Sequence, residues 1–372
     1  MPVTDMSIHI DSPPRYAEEG PLVSVPSLAL SPLSLSRKGV RRAGVTVVAA
    51  AATLAVAAGP VAAAPTPSDR LAGRTAAGWL NRQFVDGTHL QTDFGGTAYD
   101  DPGLTLDAVL AFAAAKTNKV TSDRAMSWIA QPATLGAYVG TGGESYAGAH
   151  AKLALAIDVT GRDVRSFGGR NIIAELAALQ TSSGRLSDKS EWGDYSNAFG
   201  QSFGVLALQR AGLSGRAGWA AGYLQRQSCA DGSVPIAFDQ SPCAGDPDAT
   251  ALAIQAFAAT GRSGAAARAG AWLAQYVKSP GVTNSNTAGL VAAGLDRTAY
   301  GAAADTARRV VRSNQLGCAA PFSRRAAIAF TRPFDAAAAP RATAQAILGL
   351  AGADLATLSA KGSIAYAPTM AC

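Results

Sequence analysis

The sequence predicts an all-α protein, a single closed α/α toroid (an α6/α6 barrel) built from six helical hairpins. Similar segments recur six times along the chain, and recurrence at such a period indicates a repeat architecture. Each recurring segment is apolar nearly all round, as a fully buried helix is. The segments begin at Gly103, Gly148, Asn197, Asp248, Asn286 and Arg341.

A second type of helix lies between the recurring segments. The stretch "SDRLAGRTAAGWLNRQF", for example, places arginines against Leu71, Trp79 and Leu80, so one face is polar and the other apolar. The chain therefore alternates between an outer, solvated helix and an inner, buried helix. An open α-solenoid is the competing arrangement, but it would need polar capping repeats at its ends, which the sequence lacks.

The N-terminal region has the pattern of an export signal. Basic residues at 37–42 precede an apolar stretch at 45–58, and small residues follow. This stretch is too short for a lasting membrane span, although an uncleaved anchor is the alternative. We therefore predict an unstructured extension or mis-assigned start at 1–36, a secretory signal peptide at 37–64, the toroid at 65–353 and a tail at 354–372. The protein is expected to be secreted.

Four cysteines follow the predicted signal peptide, and an even number in an exported chain indicates two disulfides. We favour Cys229–Cys243 across a short loop and Cys318–Cys372, which would tie down the tail. No metal site is predicted, because the chain has no CxxC pair and few histidines.

The charge pattern argues against nucleic acid as a partner. The chain has 32 basic and 26 acidic residues, a net charge of +6. The arginines are scattered, and no basic stripe alternates with aromatic residues. The densest group, at 308–312, is typical of a solvated helix face.

The repeats resemble those of the prenyltransferase and squalene-cyclase superfamily over residues 68–353. Outer helices end in a glutamine that a glycine-containing turn follows, as in "WLNRQFVDGTHL", "YLQRQSCADGSV" and "ALQTSSGRL". The next inner helix then starts with a D-x-T-A-like stretch. The resemblance implies an α/α toroid, and it covers cyclases, zinc prenyltransferases and non-catalytic carriers.

Two interpretations of Asp248 compete. Asp246-Pro247-Asp248-Ala249 matches the first and central acids of the D-x-D-D motif of class II terpene cyclases, which would make Asp248 a general acid. Ala249 replaces the last acid, and aromatic residues make up only 7% of the chain. We therefore favour Asp248 as the N-cap of its helix. The stretch from Pro247 to Ala253 is also similar to the signature of cobalamin carriers.

Polar residues recur at one position of the otherwise apolar inner helices, one turn beyond the expected cap. If the helices form a ring, these side chains meet near its axis, where they either orient a ligand or form a structural network in which Asp107 pairs with Lys152. The predicted ligand-binding residues are Asp107, Lys152, Gln201, Gln345, His150, Asp246 and Asp248, with Trp192 and Tyr195 on the rim.

We accordingly expect an exported, non-catalytic protein that binds a small amphipathic ligand of the corrinoid or isoprenoid class. No cofactor follows from the residues. A cyclase-like enzyme using Asp248 and a cell-surface interaction module are the alternatives.

Overall fold

The computed structural model describes residues 64–372. The predicted extension and nearly all of the predicted signal peptide lie outside this range. Thirteen α-helices make up most of the described chain. Within it, no helix is both long and apolar enough to cross a membrane.

Six of the helices form an inner layer and the other seven lie outside them. The inner helices are α2 (Pro102–Ala115), α5 (Ala147–Val159), α7 (Ala198–Arg210), α9 (Pro247–Ala259), α11 (Ser285–Leu295) and α13 (Ala339–Ala351). The outer helices are α1 (Pro67–Asn81), α3 (Lys119–Ile129), α4 (Pro132–Val139), α6 (Ile172–Ala178), α8 (Ser214–Arg226), α10 (Ser263–Tyr276) and α12 (Gly301–Asn314).

The inner helices form a closed ring. Each packs against the next, in the order α2, α5, α7, α9, α11 and α13, and α13 packs back against α2. This closure confirms the predicted α/α toroid and excludes the open solenoid. The outer helices pack around the ring, α1 against both α2 and α13.

Small residues allow the inner helices to approach closely. A Cβ added to Gly289 would lie 2.4 Å from Cα of Ala346, and one added to Gly349 would lie 2.4 Å from the Gly289 carbonyl oxygen. A Cβ at Gly200 would likewise lie 2.9 Å from Cα of Gly148. Side chains at these glycines would push neighbouring helices apart, so the Ala- and Gly-rich composition is what lets the ring close.

The loops that enter the inner helices all lie at one end of the ring, which we call the mouth. They include a two-stranded antiparallel hairpin, β1 (Gln91–Phe94) with β2 (Thr97–Asp100), in which Gln91 is opposite Asp100. A π-helical turn (Val277–Gly281) and a 3₁₀ turn (Phe322–Arg324) lie in the last two mouth loops.

Side chains at one position of the inner helices form hydrogen bonds with the backbone of four of these loops. We number the inner-helix positions from Pro102, Ala147, Ala198, Pro247, Ser285 and Pro340 as position one. At position four, side chains accept a hydrogen bond from a loop backbone N–H in each case: Thr105 from Leu90 (2.9 Å), Gln201 from Leu186 (2.9 Å), Thr250 from Val234 (2.9 Å) and Thr343 from Ile328 (3.0 Å). Position four therefore belongs to the framework.

The tail after α13 covers the opposite end of the ring. Its backbone accepts hydrogen bonds from Arg210 on α7 through the Leu355 and Leu358 carbonyls, at 3.0 and 2.8 Å. Ala360 then donates to the Val159 carbonyl at the end of α5 (2.8 Å). Leu355 is completely buried. Contacts with α5 and α7 thus hold the tail against the end of the toroid that lies opposite the mouth.

Both disulfides occur in the pairing that the sequence favoured. Cys229–Cys243 closes one mouth loop, and Cys318–Cys372 joins the end of the tail to the loop before α13. The second bridge spans the longer segment, 54 residues against 14. In the chain-entropy description it constrains the unfolded chain more.

We expect the variant with both Cys318→Ser and Cys372→Ser to lose about 4 kcal/mol of unfolding free energy, and the variant with both Cys229→Ser and Cys243→Ser to lose about 3 kcal/mol. Urea unfolding followed by circular dichroism measures both. A tail bridge whose removal costs less than removal of the short loop's bridge would contradict this ordering.

Candidate functional site

Two positions of the inner helices face the ring axis. Positions two and six lie four residues apart and therefore on one face of a helix, while position four points to the other side. At position two the chain has Gly103, Gly148, Phe199, Asp248, Asn286 and Arg341. At position six it has Asp107, Lys152, Phe203, Leu252, Leu290 and Gln345.

Charged side chains from three consecutive helices, α13, α2 and α5, form a connected arc on this face, and the ring of Phe203 on α7 extends it. Lys152 Nζ lies 2.9 Å from Asp107 Oδ1, and Arg341 Nη1 lies 3.6 Å from Asp107 Oδ2. Arg341 also reaches Asp101, with Nη2 3.2 Å from Oδ2. Lys152 Nζ lies 5.7 Å from the ring centroid of Phe203. The arc includes the Asp107–Lys152 pair that the sequence suggested, and both residues are buried.

The third repeat corrects the predicted register. Phe203, not Gln201, occupies the axial position of α7. Gln201 lies at position four, where its amide donates to the Gly184 and Ala220 carbonyls, both at 2.9 Å. The sequence pattern places the start of the third repeat at Asn197, which is two residues too early. Asn197 is the N-cap of its helix, whereas the first residues of the other five repeats lie inside their helices.

His150 also belongs to the framework side of its helix. At position four of α5, its Nδ1 lies 2.8 Å from the Tyr146 carbonyl oxygen and its Nε2 lies 2.9 Å from Glu175 Oε2. Arg170 in turn forms an ion pair with Glu175. Both ring nitrogens of the buried His150 therefore have partners within the protein, and no ligand is needed to explain its burial. Gln345, in contrast, is half-buried at position six.

The predicted N-cap role of Asp248 is wrong, because Asp246 caps the helix. Asp246 Oδ1 accepts a hydrogen bond from the Ala249 N–H at 2.8 Å. Pro247 occupies the first helical position, where its fixed φ and missing N–H are tolerated, so the cap must precede it. Asp248 therefore lies inside the first turn of α9, and its carboxyl group is not needed as a cap.

Asp248 is buried beside Asp246 with little to stabilise a negative charge. Burial raises the pKa of Asp248 to about 7, and the neighbouring Asp246 charge adds to the increase. A hydrogen bond with the Thr287 side chain lowers that pKa only in part. Burial also raises the pKa of Asp246. The pair therefore retains a proton near neutral pH, most readily on Asp248.

Two buried oxygens beside this pair have no hydrogen-bond partner in the described part of the chain. They are Oδ1 of Asp248 and Oδ1 of Asn286, which occupies the same position on the next helix, α11. Asp248 is 1% exposed and Asn286 is 5% exposed. Buried polar atoms are nearly always paired. The unpaired atoms therefore indicate a place where a ligand with hydroxyl groups could bind.

Exposed aromatic side chains stand on the rim of the mouth. Trp192 and Tyr195 lie on the loop before α7, and Phe94 and Tyr99 lie on the hairpin before α2, with ring centroids 6.0 Å apart. The two predicted rim residues are thus accessible from solvent. Among residues 64–372, no group of three histidines, cysteines or acids could hold a metal ion.

Comparisons with known proteins show the fold and leave the family open. No protein-family profile and no curated protein matches the sequence. Solved structures do match. A heparin-specific unsaturated glucuronyl hydrolase has a TM-score of 0.55 at 12% identity, with 77% of this chain and 98% of that chain covered. A protein from Actinoplanes has a TM-score of 0.56 at 16% identity, covering 76% and 99%.

A third neighbour is an α-1,6-mannanase from Salegentibacter sp. HEL1_6, an inactive variant bound to α-1,6-mannotriose, in which two adjacent aspartates are replaced. Its TM-score is 0.56 at 12% identity, and the match covers 77% of this chain and 99% of that chain. This chain thus has the α/α toroid fold found in several carbohydrate-active enzymes.

The neighbours with a named activity correct the predicted function. The glucuronyl hydrolase and the mannanase act on carbohydrates and are not prenyltransferases, terpene cyclases or cobalamin carriers, so the expected non-catalytic binding of a corrinoid or isoprenoid is wrong. The repeated helix pattern reports how helices are layered in a toroid. Several families share that layering, so it could not identify the site.

Asn286 and Phe203 are axial residues that were not among the predicted site residues. Asn286 begins its recurring segment as Asp248 does, and the register error in the third repeat placed Gln201 where Phe203 belongs. Both could have been found by aligning Asn197 and Asn284 with Asp101 and Asp246, since Pro102 and Pro247 mark the residues before them as helix caps, which fixes positions two and six.

Asp248→Asn should increase the unfolding free energy more at pH 8 than at pH 5, by on the order of 2 kcal/mol. A carboxyl group whose pKa is higher in the folded state binds more protons there, so its ionisation reduces stability as pH rises from about 4 towards 7. Urea unfolding at both pH values measures the difference, with the exposed Asp86→Asn as control. An equal effect at pH 5 and pH 8 would contradict the burial argument.

Proposed function

We propose that the protein is a glycoside hydrolase that cleaves a glycosidic bond at the mouth of the toroid, with Asp248 as the general acid. The observation that carries the proposal is the buried Asp246–Asp248 pair, in which the pKa of Asp248 is about 7. A general acid must hold its proton at working pH and release it in the transition state, which a pKa near neutrality favours.

The unpaired oxygens beside Asp248 support a sugar as substrate. A protonated Asp248 can donate through its unpaired oxygen, and the Asn286 side chain can accept from a hydroxyl group. Sugars carry hydroxyl groups on all sides, so they can satisfy buried polar atoms that an isoprenoid cannot. The carbohydrate-active neighbours with the same fold also support this substrate class.

Glycoside hydrolysis generally requires a second carboxylate, and we propose Asp107 for this role. It lies on α2, three places from α9 in the six-helix ring and therefore on the opposite side of the axis. Lys152 and Arg341 both form ion pairs with it. Asp248, in contrast, is buried beside a second carboxylate, Asp246, which disfavours its negative charge.

The two carboxyl groups suit a single displacement. Asp248 gives its proton to the glycosidic oxygen as the bond from that oxygen to the anomeric carbon breaks. Asp107 takes a proton from a water molecule whose oxygen bonds to the anomeric carbon. Inverting enzymes need room for this water and place their carboxyl groups about 6.5–9.5 Å apart, wider than the roughly 5 Å of retaining enzymes. Opposite helices of a ring suit the wider arrangement.

We also propose that this activity is extracellular. The two disulfides fit an oxidising compartment, and the sequence at 37–64 has the order of a signal peptide. The working enzyme would then begin near Pro65, with the toroid at 65–353 and the bridged tail at 354–372.

Asp248→Asn should reduce kcat/KM about 10²–10⁴-fold, since an amide cannot deliver the proton. In the wild type, kcat/KM should fall as pH rises above about 7, where Asp248 loses its proton. Release of reducing ends from neutral and acidic polysaccharides measures both effects, with Asp86→Asn as control. Full activity of the Asn variant on every substrate that the wild type cleaves would exclude the acid role.

Asp107→Asn should also reduce kcat about 10²-fold or more if Asp107 activates water. This change leaves Lys152 buried beside a neutral amide, so loss of folding must be separated from loss of chemistry. The double variant Asp107→Asn with Lys152→Met removes the unpaired charge. A double variant that is folded by circular dichroism yet inactive supports the role of Asp107, and recovery of activity in that variant contradicts it.

A further inference from the structure

The loop before α7 combines exposed aromatic side chains with an ordered backbone. Trp192 is 52% exposed and Tyr195 is 68% exposed. Beneath them, Asp188 accepts hydrogen bonds from the N–H groups of Ala147 (2.7 Å) and Tyr195 (3.1 Å). Asp194 Oδ1 accepts from the Asp188 N–H at 3.0 Å and forms part of the same turn. The two rings therefore project from a backbone that several carboxylates hold in place.

The neighbouring loop braces the same segment. Glu144 Oε1 accepts from the Glu191 N–H at 2.9 Å. Ser145 and Lys189 exchange two backbone hydrogen bonds, at 2.8 and 2.9 Å. An exposed aromatic side chain on a preordered loop loses little conformational entropy when it binds a partner. We call Trp192 and Tyr195 on this loop the aromatic shelf.

The surroundings of the aromatic shelf are strongly acidic although the whole chain is basic. The loops before α2, α5, α7 and α9, at 91–101, 140–146, 180–197 and 227–246, together carry ten carboxylic side chains. They carry only two cationic side chains, Arg185 and Lys189. Arg185 is already paired with Asp194 at 2.9 Å. Such a surface repels a polyanion and offers many acceptors to hydroxyl groups.

We propose that the aromatic shelf is an outer binding subsite for uncharged sugar residues of a longer glycan chain. Pyranose rings have an apolar C–H face that can lie on an aromatic ring and a hydroxyl edge that can donate to carboxylates. The inference rests on the proposed function, because it makes the shelf an extension of the site at Asp248. It adds that the substrate is a neutral chain and not a uronate polymer.

The experiment measures binding separately from cleavage. Asp248→Asn provides a full-length protein in which bound oligosaccharides should survive. Isothermal titration calorimetry with α-1,6-mannotetraose, maltotetraose and cellotetraose tests neutral chains, and a heparin tetrasaccharide tests an anionic one. Trp192→Ala and Tyr195→Ala are added separately to this background. Tyr366→Ala is the matched control, because Tyr366 is 60% exposed but lies in the tail, away from the mouth loops.

We expect at least one neutral tetrasaccharide to bind, Trp192→Ala and Tyr195→Ala each to weaken its binding about tenfold, and Tyr366→Ala to leave it unchanged. Heparin should bind more weakly than the neutral chain. Equal loss in the Tyr366 variant, tighter binding of heparin, or no binding of any neutral chain overturns the inference. The last outcome would also favour a protein as the partner of this surface.

Cleavage assays keep the two proposals apart. If neutral chains bind on the shelf but the wild type cleaves none of them, the hydrolase proposal fails and the subsite stands. If the wild type cleaves a neutral chain with unchanged KM in Trp192→Ala and Tyr195→Ala, the subsite fails and the hydrolase proposal stands.

Discussion

Close packing of the six inner helices is the constraint on which the rest of the structure depends. The helices approach until backbone meets backbone, as at Gly289 and Gly349, so the ring has room for few large side chains. Each inner helix is buried on every side, and a polar group on it must find a partner within the protein or in a ligand. The placement of each polar residue is therefore informative about its role.

The helix period sorts these polar residues into two classes. Position four points to the loops and outer helices, where Thr105, Gln201 and Thr250 bind backbone groups that would otherwise be unpaired. Positions two and six point to the axis, where Asp107 forms ion pairs with two cations and Asp248 lies beside a second carboxylate. The first class fixes the mouth loops, and only the second is available for chemistry.

Much of the fold follows from the sequence, because layering leaves a strong repeating signal. Apolar inner helices and amphipathic outer helices predicted the closed toroid, and the loop sizes suggested the disulfide pairs. The site was harder to predict. A two-residue error in the third repeat exchanged Phe203 for Gln201, since one register step on a helix changes the face that a side chain occupies. The function was predicted wrongly because the repeat records packing and carries no information about the ligand.

Charged groups are distributed unequally around the ring axis, and tertiary structure determines which groups become neighbours. Asp107 and Asp248 are the same residue type on equivalent inner helices, each buried. Two cations from the neighbouring helices α5 and α13 accompany Asp107, whereas a second carboxylate accompanies Asp248. Burial and the second carboxylate raise the pKa of Asp248 and favour its protonated form. Paired carboxyl groups with opposed environments are what acid–base chemistry at neutral pH requires. A buried ion pair costs desolvation energy that an apolar ring would avoid, so its presence here is more readily explained by chemistry at the axis than by stability alone.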